Sequence, residues 1–193
     1  MSHFFTRVKK WYNKIMDIID QMLLHIYDSI DAGTTFGAKK KLGIYKYFDH
    51  WNKELKREEI DKAFNELSRS KLIQKKKDYN GSIIVSLTEK GRLRALNYSF
   101  KKFSNRKEKW DGKWRMVAFD VPNECRKGRD ALRYRMKIGG FYMLQDSLFI
   151  YPYDCEKEIK AIIDLFKLQK YVRFGVLEDI DNNEELKKKF KLS

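Results

Sequence analysis

The chain has little cysteine and little histidine, which limits its metal and redox chemistry. Its two cysteines, Cys125 and Cys155, are far apart and form no CxxC pair. Neither a structural zinc site nor a disulfide framework is therefore predicted. The three histidines, His3, His25 and His50, have no Glu or Cys at ligand spacing. We expect each of them to serve as a surface or packing residue.

Nucleotide-binding motifs and long apolar runs are also missing. There is no Walker A loop, no GxGxxG and no GxSxG elbow around Ser147, which argues against nucleotide hydrolysis, dinucleotide use and serine hydrolysis. No run approaches the roughly 20 apolar residues of a membrane span. The N-terminal region lacks the unbroken apolar core of a signal peptide. A soluble cytoplasmic protein with no membrane partner is expected.

What the chain does have is positive charge together with enough apolar residues for real cores. Its 193 residues are 42% hydrophobic and 15% aromatic, a length that fits one large or two small domains. Forty-two Lys and Arg against 27 Asp and Glu leave a net charge of +15 that is spread along the chain. This charge favours a polyanionic partner, nucleic acid ahead of a membrane surface. A ribosome-associated or merely lysine-rich protein is the alternative.

The stretch 110–152 predicts a strand, a basic helix and a second strand. Residues 113–121 are rich in β-formers, and Asn123 is placed to cap the helix that follows. Gly139-Gly140 ends this helix before a β-rich run over 141–151, which is expected to bend near Gln145-Asp146 or to split in two. The apolar period predicts an inner face of Cys125, Gly128, Arg129, Leu132 and Met136. The outward face then carries Arg126, Lys127, Arg133, Tyr134 and Lys137.

A second helix and strand complete the C-terminal half. Acidic residues at 156 and 158 favour a helix start, and 171–177 forms the last predicted strand. The buried face of this helix is predicted to be Ile159, Ile162, Ile163 and Phe166. Two successive β-α-β halves predict a ferredoxin-like sandwich. Beyond it, 184–191 predicts a short charged helix.

Several spaced features of this half resemble a known family. They are Trp110-Asp-Gly-Lys-Trp, Phe119-Asp-Val-Pro122, the arginine-spaced helix from Arg126 to Arg135, Gly140-Phe141 and Leu144-Gln-Asp-Ser-Leu-Phe149. In this order they resemble the Cas2-like domain of PaaX-type transcriptional regulators, and Cas2 itself is similar over 110–180. The resemblance implies a ferredoxin-like βαββαβ domain in a homodimeric, DNA-binding repressor. Family members that control phenylacetate breakdown respond to a CoA thioester, but no effector can be identified from this sequence.

The N-terminal half begins with an amphipathic helix. Its apolar stripe is predicted to be Phe4, Val8, Trp11, Ile15, Ile18, Met22 and Ile26, widened by Ile19, Leu23 and Ile30. Packing within its own domain is the first interpretation, and a short coiled coil is the alternative. The basic aromatic start could lie on a membrane, but Asp17 and later acids interrupt that pattern. A loop over 33–37 and a helical patch over 44–51 follow.

Residues 57–98 have the order of a winged helix. Ile60, Ala63, Phe64 and Leu67 predict the inward face of a helix. Strands at 72–73 and 83–87 are joined by a basic tip whose Asn80-Gly81 indicates a hairpin. Thr88 is then expected to cap a helix over 89–98. The predicted fold class is α+β: a helical and winged-helix domain followed by the ferredoxin-like domain.

In a winged helix the first of these helices enters the major groove of double-stranded DNA and the hairpin lies along the phosphate backbone. The candidate nucleic-acid-binding residues are therefore Arg57, Lys62, Asn65, Arg69, Lys75, Lys76, Lys77 and Asn80. Asn65 and Arg69 can make bidentate base contacts, whereas the lysines position the complex. The alternatives are an ordinary solvated surface and protein contact, which winged helices also mediate.

The predicted domain boundaries follow from these patterns. They are a helical and winged-helix domain over 1–100, a basic linker over 101–109, the Cas2-like domain over 110–180 and a charged tail or helix over 181–193. Homodimerisation is expected to involve the Cas2-like domain.

Asp120 is the one candidate for metal-dependent chemistry. The resemblance to Cas2 places it where that family binds metal, and a symmetric dimer could bring two copies together to hold Mg²⁺. The alternative function is accordingly a metal-dependent nuclease or a non-catalytic nucleic-acid-binding subunit. A structural role for Asp120, capping the next helix or pairing with Arg126, is the simpler interpretation, with no cofactor. An RNA-binding or toxin-like module is a third possibility.

Overall fold

A computed structural model describes residues 2–31, 37–38, 56–77, 79, 83–104 and 108–192. The fold is α+β, as predicted, with helices dominating the first part and a larger sheet in the second. The chain divides into two compact units, Met1–Tyr98 and Ser99–Ser193, called here the N-terminal and C-terminal units.

In the described part of the N-terminal unit the helices are α1 (Ser2–Asp31), α2 (Arg57–Arg69) and α3 (Glu89–Phe103), which continues beyond the unit. The helix expected to end at Tyr98 continues to Phe103, so residues 101–103 of the expected linker are helical. Phe100 and Phe103 are buried in the C-terminal unit, and this burial explains the extension. Among the described residues, no helix has the length and apolarity needed to cross a bilayer.

The described residues of the N-terminal unit form a sheet of three strands, β1 (Gly37–Ala38), β2 (Ile73–Lys77) and β3 (Ile83–Leu87). Their order is β1-β3-β2 with antiparallel pairing, and the register sets Ile73 opposite Leu87. Strand β2 is longer than the predicted 72–73, so the three lysines placed in the hairpin tip lie within the strand. The predicted tip at Asn80-Gly81 and the helical patch over 44–51 fall outside the described residues.

The N-terminal core is built from α1, α2, the hairpin and the start of α3. Its fully or nearly fully buried members include Ile19, Met22, Leu23, Ile26, Ile60, Leu67, Leu72, Val85, Leu87 and Ala95. The predicted stripe of α1 is therefore confirmed from Ile15 to Ile26, and the side chains of its other members Phe4, Val8 and Ile30 lie outside the described ones. Its placement of Trp11 in that stripe is wrong, because 49% of Trp11 is exposed.

Thr88 fixes the start of α3 against the beginning of β2. Its hydroxyl donates to the carbonyl of Lys71 at 2.8 Å and accepts from the backbone N–H of Gly91 at 3.1 Å, which confirms the predicted cap. The Thr88 N–H also donates to the carbonyl oxygen of Leu72 at 3.0 Å. A Cβ at Gly91 would lie only 2.0 Å from that oxygen, so glycine permits the approach.

The C-terminal unit contains a four-stranded antiparallel sheet. Its elements are β4 (Trp114–Phe119), α4 (Arg126–Ile138), β5 (Tyr142–Gln145), β6 (Leu148–Tyr151), α5 (Glu156–Phe166), β7 (Val172–Leu177) and α6 (Asn183–Phe190). The strand order β5-β6-β4-β7 with two crossing helices is the ferredoxin-like βαββαβ topology that the sequence predicted. The β-rich run over 141–151 is split into two strands, with a bulge between Met143 and Gln145.

The last helix, α6, belongs to the core and is not a free tail. Leu186 of α6 is completely buried with Trp114 and Ile150 of the sheet. The Trp114 indole Nε1 donates to Asn183 Oδ1 at 2.9 Å. Helix α6 therefore covers part of one sheet face, and the expected domain end near residue 180 is too early.

A buried arginine supports the entry to the first strand of this sheet. Arg115, 9% exposed, donates from both terminal nitrogens to the two carboxylate oxygens of Asp111, each at 2.6 Å. The same guanidinium also donates to the carbonyls of Lys113 and Pro152. Hydrogen bonding from Arg115 lowers the pKa of Asp111 to about 2, so this pair is charged at neutral pH.

Candidate nucleic-acid interface

Helix α2 presents a polar face opposite its buried one. Ile60, Ala63 and Leu67 are buried, and Lys62, Asn65 and Arg69 are exposed. Their spacing of three and four residues places these exposed side chains along one side of the helix. The sequence-predicted outward orientation of the three residues agrees with the structure. Arg57, the first residue of α2, is exposed as well.

The charge of α2 was not anticipated. Three basic residues stand against four acidic ones, Glu58, Glu59, Asp61 and Glu66. The acids at the first turn favour the helix through its dipole, but they leave α2 with a net negative charge. This helix alone cannot supply the attraction to a polyanion. Any such attraction must come from neighbouring elements.

Two of these acidic side chains accept hydrogen bonds from cationic or hydroxyl groups. Glu59 accepts from Lys14 of α1 at 2.7 Å, and this hydrogen bond lowers the pKa of Glu59. Glu66 accepts from the Ser70 hydroxyl at 2.6 Å and from the Arg69 guanidinium, contacts that lower its pKa. The Arg69 side chain is 83% exposed, so it can exchange Glu66 for another acceptor at little cost.

Strand β2 provides the missing positive charge. Lys75, Lys76 and Lys77 are all exposed, and side chains along a strand alternate between its two faces. Ile73 is buried in the core, so Lys75 and Lys77 lie on that same side. Lys75 Nζ lies 4.3 Å from the centroid of the Phe64 ring of α2, which fixes this side as the one facing α2. Lys76 consequently points to the opposite face.

Two exposed aromatic residues that were not predicted as interface candidates lie in this unit. Trp11 of α1 lies beside α2, where Lys62 Nζ is 5.5 Å from its ring centroid. Tyr79, in the connection between β2 and β3, is 98% exposed. A signal for Trp11 was present in the sequence, because it is followed by Tyr12 and flanked by lysines. Asn80, the last of the predicted contact residues, lies outside the described residues.

In the C-terminal unit, Asp120 lies exposed at the end of β4. It borders an open cleft of about 560 Å³ that also contains Gln145, Ser147, Leu148, Lys170, Tyr171 and Arg173. Arg126, proposed as a partner for Asp120, instead pairs with Asp130 at 3.4 Å. The cleft offers one carboxylate beside two cationic side chains, whereas Mg²⁺ requires several oxygen ligands. The donor set of a single chain does not fit a magnesium site, and the described residues include no cluster of three or more His, Cys, Asp or Glu suited to a metal.

Helix α4 carries a second basic surface. Its exposed residues agree with the predicted outward face: Arg126, Lys127, Arg133, Tyr134 and Lys137. The predicted cap by Asn123 is wrong, because Asn123–Cys125 forms a 3₁₀ turn and Asn123 Oδ1 accepts from Arg129 at 3.3 Å. Arg135, which lies between these positions, is buried and donates to the Ala131 carbonyl.

Comparison with known proteins identifies part of the chain. Residues 107–188 match the family model of the PaaX protein central Cas2-like domain. The match covers all four strands of the C-terminal sheet and most of α6. No curated protein and no solved structure gives a significant match to the chain.

Proposed function

We propose that the chain is a sequence-specific DNA-binding transcriptional repressor that acts as a homodimer, and this proposal starts from the match of residues 107–188 to the PaaX protein central Cas2-like domain. The N-terminal unit is the part that contacts double-stranded DNA in the cytoplasm. The Cas2-like domain contributes to pairing two chains.

The observation that carries this proposal is the surface shared by α2 and β2. Asn65 and Arg69 project outward from the buried side of α2, and Lys75 of β2 lies against Phe64 of the same helix. A helix followed by an antiparallel hairpin, with a further strand on β3, supports a winged-helix arrangement. In that arrangement the helix lies in the major groove and the hairpin lies along the backbone.

Helix α2 and strand β2 differ in charge, and we expect them to make different contributions to binding. Helix α2 is net negative, so its binding free energy depends on correct base contacts and not on general attraction. Asn65 suits adenine and Arg69 suits guanine through bidentate hydrogen bonds. Lys75 and Lys77 of β2 displace counterions from phosphates and supply affinity without sequence preference. Because α2 is net negative, it repels phosphates wherever it makes no base contacts. Its position beside the cationic hairpin therefore disfavours non-specific binding and favours selectivity.

Selection from a randomised duplex library tests the function. We expect the wild-type chain to enrich a defined motif, which is palindromic if two chains bind together. Asn65→Ala should relax the preference at one position per half-site, since a bidentate contact contributes about 1–3 kcal/mol of discrimination.

Gln74→Ala is the matched control, because it removes an exposed amide from the face of β2 that points away from α2. This variant should keep the motif. Failure of the wild-type chain to enrich any motif would refute sequence-specific binding. An unchanged motif with Asn65→Ala would refute the role of α2.

The homodimer is tested separately by sedimentation of the full chain. The outer strands of the C-terminal sheet are β5 and β7, and Val176 of the six-residue β7 is 52% exposed. Such an edge can pair with another chain. A dimer at micromolar concentration is the expected result, and a monomer that stays monomeric on duplex DNA would contradict it.

A metal-dependent nuclease is the second candidate, and one observation favours it: Asp120 is exposed in an open cleft. Incubation of the chain with duplex, single-stranded DNA or RNA and Mg²⁺ or Mn²⁺ decides between the two functions. Cleavage that disappears in Asp120→Ala would establish the nuclease. Preferential, salt-sensitive binding of RNA over duplex DNA would instead favour an RNA-binding module.

A further inference from the structure

The start of α1 carries a half-exposed tryptophan that the core does not explain. From Ile15 to Tyr27 the apolar residues of α1 are buried or partly buried, but Trp11 and Tyr12 are 49% and 54% exposed. A large aromatic side chain gains most from burial, and exposed aromatic residues often mark contact surfaces.

This part of α1 is also cationic. Residues 9–14 are Lys-Lys-Trp-Tyr-Asn-Lys, all exposed, and the first acidic residue of the helix is Asp17. Three lysines therefore surround the two aromatic residues over less than two turns. Lysines interleaved with aromatic side chains are typical of surfaces that bind nucleic acid.

The two contacts of this segment with α2 join it to the proposed DNA-binding surface. Lys62 Nζ lies 5.5 Å from the Trp11 ring centroid, and Lys14 Nζ lies 2.7 Å from Glu59 Oε1. The first contact holds the Lys62 side chain by a cation–π interaction. The second neutralises an acid of α2 that would repel phosphates. Both contacts make the surface around α2 more favourable to a polyanion.

We propose that residues 9–14 of α1, here called the α1 strip, form a second contact with the DNA backbone beside the groove that α2 enters. Lys9 and Lys10 bind phosphates, and Trp11 packs on the backbone sugar while it orients Lys62. Trp11 is a positioning residue for Lys62 as well as a contact residue. The inference rests on the proposed function and adds an element that lies outside the helix and hairpin.

Continuity and charge favour DNA as the occupant of the α1 strip. A membrane surface would require a broad exposed apolar face. The described apolar side chains of α1 beyond Tyr12 are instead buried or partly buried in the unit's own core. A second copy of the chain would have to present matching acids, whereas the whole chain carries +15. A duplex that already lies against Lys62 brings phosphates to this side.

Salt-dependent binding to mixed-sequence duplex DNA tests the proposal without knowledge of the operator. Lys9→Gln/Lys10→Gln should lower the slope of log Kd against log salt by about 1.8, because each phosphate contact contributes about 0.9. Lys188→Gln/Lys189→Gln on α6 removes the same charge from the C-terminal unit and should leave the slope within about 0.3 of wild type. Equal slopes for the two double variants would overturn the proposal.

A second measurement follows Trp11 directly. The difference in fluorescence between wild type and Trp11→Phe isolates its emission from that of the other tryptophans. Added duplex should change this difference signal and shield it from acrylamide. Trp11→Ala should weaken DNA binding at least 3-fold more than Tyr12→Ala, because Trp11 also orients Lys62. A difference signal that responds to anionic phosphatidylserine vesicles and not to duplex would overturn the proposal in favour of a membrane surface.

These experiments distinguish failure of the α1 strip as a DNA contact from failure of the proposed DNA-binding function. If wild type binds duplex and the Lys75→Gln/Lys77→Gln variant of the hairpin weakens binding, but both α1 tests are negative, the inference fails and the proposed function stands. If wild type binds no duplex at all, both fail together.

Discussion

The alternation of side chains along β2 makes a sharp prediction about its three lysines. Lys75 and Lys77 share the face that contacts α2 through Phe64, and Lys76 lies on the other face. A duplex in contact with α2 can reach only the first pair. Lys75→Gln/Lys77→Gln should therefore weaken DNA binding strongly, and Lys76→Gln should weaken it little.

The magnitude follows from counterion release. Two lost phosphate contacts lower the slope of log Kd against log salt by about 1.8. Between 50 and 200 mM salt the double variant should consequently lose about 12-fold less affinity than wild type. At about 0.1 M salt the same exponent corresponds to roughly 60-fold weaker binding if the contacts are purely electrostatic.

Fluorescence anisotropy with a labelled mixed-sequence duplex at five salt concentrations measures these slopes. Lys76→Gln serves as the control within the same strand, with an expected slope change below about 0.3. If Lys76→Gln alters the slope as much as one member of the pair does, the duplex does not lie on the α2 side of the hairpin. The assignment of this surface would then be refuted.

Three further results are expected. Gly91→Ala should lower the free energy of unfolding by about 2 kcal/mol. A Cβ placed 2.0 Å from the Leu72 oxygen costs about 3 kcal/mol, and the higher helix propensity of alanine offsets only about 1 kcal/mol of this cost. Urea denaturation showing an unchanged or raised stability would contradict the close approach. Asp111→Asn should cost about 1 kcal/mol at neutral pH after allowance for solvent screening. Since the pKa of Asp111 is lowered from 3.8 to about 2, this contribution is full above pH 3.8 and is lost as the pH falls toward 2, so wild-type and variant melting curves should converge there; a gap that persists at pH 2 would exclude this origin. Asp120→Ala should leave duplex affinity within about 2-fold in the anisotropy assay, and a larger loss would mean that the cleft takes part in binding.

The C-terminal fold could be predicted because its signals are local and agree with one another. Residues 114–119, the helix that ends at Gly139-Gly140, and the split of 141–151 each have a clear period and clear boundaries. The order β5-β6-β4-β7 then follows from the βαββαβ sequence of elements. The role of α6 could not be predicted, since its charged sequence obscures the inward Leu186 and Phe190 that pack it on the sheet.

The outward face of α2 was predictable for the same reason, because Ile60, Ala63 and Leu67 leave no other orientation. The position of the β2 lysines was not. A run of three lysines resembles a loop in composition, but its pairing with residues 83–85 of β3 keeps it in the strand. Composition alone could not show that long-range pairing overrides a local preference.

Trp11 shows where a sequence period misleads. Its spacing from Ile15 and Ile18 is that of a core residue, yet Ile15 is the first described side chain of α1 that belongs to the hydrophobic cluster. The period gives the direction in which a side chain points but not how far a core extends along a long helix. The contact between Trp11 and Lys62 is a tertiary fact that the sequence does not encode locally.

Lysine footprinting on the intact chain tests the central claim most directly. Acetylation with and without excess duplex DNA, quantified by mass spectrometry, compares every lysine in one experiment. If α2 and β2 form the DNA-binding surface, DNA should protect Lys62, Lys75 and Lys77 and leave Lys76, Lys188 and Lys189 reactive. Protection confined to the C-terminal unit, with Lys62, Lys75 and Lys77 modified as fast as in free protein, would contradict the account.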